Sequence, residues 1–188
     1  MSRKYELTND TIEVGGATLH RIKALRNFKN VKAGDLGGYI EIEKNLSHKG
    51  NCWVYDDAKV YGYAIVSDNA VVRFNTSIYG HAVLLENADI SGGSIFDNAV
   101  ICGQAIICGN TVISGNAVVS GNAGIYDNAE IYGNAVVSGN AGIYGNTNIC
   151  GNSRVYGYIG ISSNNEDIFG NSVINNDTEE SASITNMY

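Results

Sequence analysis

Between residues 114 and 146 the chain reads SGNAVVSGNAGIYDNAEIYGNAVVSGNAGIYGN, with an aliphatic residue at every sixth position. A period of six fits neither a 3.6-residue helix nor a long strand, and it demands very short strands joined by regular corners. The unit is [Ile/Val]-[Tyr/Ser/Cys]-[Gly/Asp]-Asn-[Ala/Ser/Thr]-x. Its starts fall at Val54, Val60, Val66, Val72, Ile78, Leu84 and Ile90, then, one residue short, at Ile95, Ile101, Ile107, Ile113, Val119, Ile125, Ile131, Val137, Ile143, Ile149, Val155 and Ile161. One extra residue precedes Ile168 and Ile174, which makes 21 units, or seven turns if three units close a triangle.

A three-residue strand turns only its middle side chain inward, so the aliphatic residue builds the core. The small residue four places on (Ala58, Ala64, Ala70, Thr76, Ala82, Ala88) fits inside the corner. Gly and Asn tolerate left-handed backbone, which explains a Gly-Asn pair at each corner. Stacked corners then set Asn above Asn at the strand spacing of about 4.8 Å, where amides can form ladders. The Asn residues therefore read as structural.

The aliphatic start with a small residue four later resembles the hexapeptide-repeat left-handed β-helix family, best known from trimeric acyltransferases. The resemblance covers residues 54 to about 179 and alone implies the handedness. Residues 5–58, YELTNDTIEVGGATLHRIKALRNFKNVKAGDLGGYIEIEKNLSHKGNCWVYDDA, are similar to the head of uncharacterised hexapeptide-repeat proteins of bacteria, phages and prophages. The expected fold is all-β: a single-stranded left-handed parallel β-helix of about seven triangular coils with a small N-terminal β cap. The expected division is a basic hairpin cap at 1–53, the helix at 54–179 and a flexible tail at 180–188.

In the cap, Thr11 to Val14 and Ala17 to Ile22 flank Gly15-Gly16, a favoured hairpin turn. A second turn is expected at Asp35-Leu36-Gly37-Gly38, and Trp53 is expected to plug the first coil. Nine Lys/Arg against six Asp/Glu make residues 1–50 +3, whereas three against thirteen make the remainder −10. An acidic solenoid repels nucleic acid, and its charge keeps a sticky repeat soluble or suits a basic partner. No apolar run approaches the roughly 20 residues of a membrane span, and the start MSRKYELTND lacks a signal-peptide core, so a cytoplasmic protein is expected.

Cys52, Cys102, Cys108 and Cys150 form no CxxC pair or Cys/His cluster, so no metal site is expected. The family resemblance implies a basic histidine near a cleft, usually between subunits, that deprotonates an amine or hydroxyl acceptor of an acyl group from acyl-CoA. His81, in the Asn slot of IYGHAV, is the best candidate; His20 lies in the cap and His48 before the first coil, and a structural role fits each of the three. No long loop walls a substrate pocket. Thr76, Thr111 and Thr147 occupy the inward slot, which argues against an outward ice-binding array.

Every third unit shares a face, and one face is expected to be apolar. Tyr61, Tyr79, Phe96, Ser114, Tyr132, Cys150 and Phe169 form one outward column, and Ile65, Val83, Val100, Val118, Val136, Arg154 and Val173 a second. The face from Val66 shows Ser67, Ser120, Ser138, Asp89, Gly124 and Gly142 instead. Strand propensity alone would enrich all faces, so the apolar columns read as an interface. The leading expectation is a non-catalytic binding protein without a cofactor, touching itself or a host protein complex, plausible as a phage accessory protein inhibiting host defence. The alternative is an acyl-CoA-dependent acyltransferase using His81.

Overall fold

The structure, a computed structural model, describes residues 3–163, 167–176 and 183–185. From Trp53 onward the chain winds through strands of two to four residues that collect into three stacked sheets, so the molecule is an all-β solenoid of parallel coils. Strands pair with those one coil away, as in Ile113↔Ile131 and Ile131↔Ile149. Sheet I carries the inward residues Val60, Ile78, Ile95, Ile113, Ile131, Ile149 and Ile168; sheet II begins at Val66 and Leu84; sheet III at Val54 and Val72.

The six-residue register holds through the described solenoid, apart from the short unit after Ile90 and the extra residue before Ile168. Every aliphatic start from Val54 to Val155 is fully buried, as is every small corner residue from Ala58 to Ala135. Each buried Val or Ile contributes about 1.5–3 kcal/mol, which offsets the entropy of ordering a thin rod. Two inward hydroxyls bond within their own corner, Thr76 Oγ1 donating to the Arg73 carbonyl at 2.6 Å and Ser153 Oγ to the Cys150 carbonyl at 2.7 Å, whereas the buried Thr111 Oγ1 has no hydrogen-bond partner among the described residues.

The corners differ from expectation in their division of labour. At the Gly-Asn and Asp-Asn corners only the first residue is left-handed, Gly115 at φ +67° and Asp127 at φ +59° for example, and the Asn that follows is not. A Cβ on Gly115 would stand 2.8 Å from the Gly133 carbonyl oxygen of the next coil, so glycine serves close stacking as well as φ. The Asn residues instead form ladders: Asn98, Asn116, Asn134, Asn152 and Asn171 are linked amide to carbonyl at 2.9–3.1 Å. Corner acids have a structural duty too. Asp56, Asp68, Asp97 and Asp127 accept the corner N–H of the next coil from Phe74, Glu86, Gly115 and Gly145.

The cap is built from β1 (Tyr5–Val14), β2 (Ala17–Ala24) and β3 (Leu36–Ile40). β1 and β2 form the expected hairpin, with Gly15 and Gly16 both left-handed. The second turn lies upstream of its expected place, at Lys32–Asp35, where the Asp35 carboxylate accepts the Lys32 N–H. Gly37 and Gly38 are strand residues of β3, and position 37 requires glycine because a Cβ there would meet Trp53 Cζ2 at 2.7 Å. Trp53 does fill the end of the coil, packed edge-on against Phe28 and Tyr5. β3 pairs parallel with Lys59–Val60, so cap and solenoid share ten-stranded sheet I. Within the tail expected to be flexible, Ser183–Thr185 pair antiparallel with Val173–Asn175; its other residues lie outside the described ones. Among the described residues no helix is long and apolar enough to cross a membrane.

Candidate functional site

The corner between sheets I and II carries the Asn98-to-Asn171 ladder, but its first two rungs are Tyr63 and His81, one coil apart. Their rings stack with centroids 4.8 Å apart and planes 9° from parallel. Above Tyr63 the preceding coil does not make the usual corner. It makes a 3₁₀ turn, Glu43–Asn45, held by a fully buried Asn45 whose Oδ1 accepts the Ile42 N–H and whose Nδ2 donates to the Gly62 and Ala64 carbonyls. Beside it, the Glu41 carboxylate accepts the Gly62 N–H at 2.7 Å and pins the corner.

Between that turn and the stacked rings lies a cleft of about 280 Å³, lined by Ile42, Lys44, Asn45, Gly62, Tyr63, Ala64, Ile65 and His81. Its walls are mostly apolar. Lys44 is the one cation of the lining and His81 the one imidazole, and both are exposed. The wall expected to be missing from the repeat is thus supplied by the cap. Tyr63, Lys44 and Asn45 were not singled out in the sequence; the available signal was the loss of Asn from two successive rungs of one corner column.

The other histidines are structural. His20 Nδ1 donates to the Thr8 carbonyl at 3.0 Å, tying the wide bulge of β1 to β2. His48 Nδ1 accepts the Lys4 N–H, its ring stacks 4.3 Å from Tyr5, and burial lowers its pKa. Among the described residues no group of His, Cys, Asp and Glu could hold a metal ion.

The two apolar columns do not share a flat face. Tyr61, Tyr79, Phe96, Tyr132 and Phe169 follow the strands of sheet I, whereas Ile65, Val83, Val100, Val118 and Val136 begin those of sheet II. They flank one corner, because the three corner residues separate them along each unit, and together they form a ridge with His81 on its crest. Tyr61, Tyr79 and Phe96 stack on one another at 4.9–5.1 Å, which leaves their edges rather than their faces to solvent. Tyr132 and Phe169 are exposed, and a hydrogen bond with Cys150 followed by burial pushes the Tyr132 hydroxyl up to about 12. The contrasting Gly124 and Gly142 are buried, because the Tyr126 and Tyr144 rings fold back over them.

No protein-family model matches the chain. Over 52 residues the chain is 44% identical to a protein of Escherichia coli (strain K12) named as the uncharacterized acetyltransferase YdcK. Part of this chain is similar to an acetyltransferase. The match takes in 27% of this chain and spans 16% of that protein's length.

Proposed function

We propose that the chain is an acyl-CoA-dependent acyltransferase of the hexapeptide-repeat type, with His81 as general base in the cleft beneath the cap. The observation that carries this reading is the placement of an exposed imidazole, braced by Tyr63, at the rim of an apolar cleft with one lysine. The similarity to an acetyltransferase supports it. His81 takes the proton of an amine or hydroxyl as that acceptor attacks the thioester carbonyl; the C–S bond then breaks and the leaving thiolate is reprotonated. Lys44 would meet a phosphate of the substrate, and the apolar wall of Ile42 and Ile65 would receive its uncharged part.

The test is acceptor-dependent thiol release from acetyl-CoA across a panel of amines and alcohols. A positioned base supplies about 10²–10⁴-fold, so His81→Ala should lower kcat/KM by that factor with an unchanged circular dichroism spectrum. Thiol release that is indifferent to His81 overturns the assignment.

The exposed ridge favours a second reading, in which the chain associates with itself or a partner through Ile65, Tyr132 and Phe169, with the half-buried Tyr61 beside them. The two readings are compatible, since an interface there would bring a second surface to the His81 crest. The expectation of a host defence complex draws support from neither the ridge nor the comparison.

A further inference from the structure

Lysine is rarely removed wholly from water, yet Lys4 is fully buried. Its Nζ lies 2.8 Å from the Cys52 carbonyl oxygen, 3.4 Å from the Lys49 carbonyl oxygen and 3.1 Å from the Cys52 sulfur. Cys52 is fully buried as well. Among the described residues no carboxylate pairs with this amine, and the Phe28 ring closes its other side at 5.3 Å. Burial pulls the Lys4 amine below its ordinary pKa, opposed by Cys52, and burial pushes the Cys52 thiol up, opposed by Lys4. The amine donates toward both carbonyls and toward the Cys52 sulfur, and the Cys52 thiol points toward the Ser47 and Lys49 carbonyls at 3.4 and 3.7 Å.

We propose that Lys4 and Cys52 are a modification site, joined in the oxidised protein by a covalent N–O–S bridge. The N···S separation of 3.1 Å is nearer to what one inserted oxygen spans than to the length of a direct N–S bond. Dioxygen is the oxidant. One N–H and the S–H bond break, an N–O and an O–S bond form, and the second oxygen leaves as water with the two hydrogens. Nitrogen and sulfur each give up two electrons, which matches the four that dioxygen accepts. The bridge staples the residue before β1 to the first coil, closing a loop across a sequence separation of 48. Closing a loop of that length restricts the unfolded chain, so the oxidised form melts at a higher temperature.

The experiment compares full-length protein purified without oxygen with the same protein held in air-saturated buffer. The expected result is an intact mass increased by one oxygen less two hydrogens, with mapping that joins the peptides holding Lys4 and Cys52. Dithiothreitol should return both the mass and the melting temperature. Replacing Cys102, Cys108 and Cys150 by Ser should preserve the adduct, and Lys4→Met should abolish it. Unlinked peptides in the air-exposed wild type, Cys52 found as a sulfinic acid or disulfide, or a joined product lacking the oxygen would each overturn the proposal. The mapping on wild type decides the question even if Lys4→Met fails to fold.

Discussion

Ile131→Asp probes the core directly. Ile131 is fully buried between Ile113 above and Ile149 below. Removing its side chain forfeits about 2–3 kcal/mol of burial. The new carboxyl has no polar side chain in the aliphatic stack to meet it, and an unpartnered buried polar group costs a further several kcal/mol. The total reaches the lower part of the roughly 5–15 kcal/mol that holds an ordinary domain together, so the central coils should unfold. The introduced acid has its folded-state pKa raised above the unfolded value of about 3.9, so the damage is least below that pH and grows as pH rises. Thermal melts by circular dichroism at pH 3.5 and 7, beside Glu130→Asp at the adjacent exposed position, provide the assay. Equal and mild changes in the two variants would refute the inward register.

Gly37→Ala should cost more than the roughly 1–3 kcal/mol of ordinary overpacking, because the Cβ would meet the Val54 carbonyl at 2.6 Å as well as the Trp53 ring; the emission of Trp53, the sole tryptophan, reports it. Val100→Glu with Val136→Glu should reduce the mass seen by light scattering, or abolish partner capture, at unchanged circular dichroism. Here the matched control is Ile106→Glu on sheet III, exposed at 46%, since Gly124 and Gly142 are covered by tyrosines. Burial lowers the His48 pKa, so stability present above the unfolded value of about 6.5 is lost as pH falls below it, and His48→Asn should flatten the fall in melting temperature between pH 7 and 5. Asn134→Ala removes two rungs of an exposed ladder and should cost about 1 kcal/mol or less in a melt.

The solenoid was legible because one requirement, a small or aliphatic side chain pointing inward, recurs at every unit and leaves a printed period. Val54 through Val155 could be placed before any coordinates. The cap was less legible since its constraints are not periodic: Gly37 looks like a turn glycine until Trp53 is known to lie against it. The ridge was half legible, because the two columns could be read as outward positions while the step from one sheet to the next across Gly62-Tyr63 was not counted. The cleft was hidden for another reason. His81 could be singled out by type, but the turn that walls it is held by Asn45, whose bonds reach carbonyls 17 and 19 residues away.

The Asn ladder of the His81 corner begins at Asn98, one coil beyond the histidine, and runs on through Asn171. From Asn98 to Asn152 each rung spans 18 residues and repeats the same amide bond, so that stretch is modular below the cleft. Excising an 18-residue cassette there, Gly115 through Tyr132 for instance, would join like to like and shorten the rod by one strand spacing of about 4.8 Å. Length and chemistry are then separately adjustable: adding or removing a cassette moves the later coils relative to the His81 rim without touching its lining.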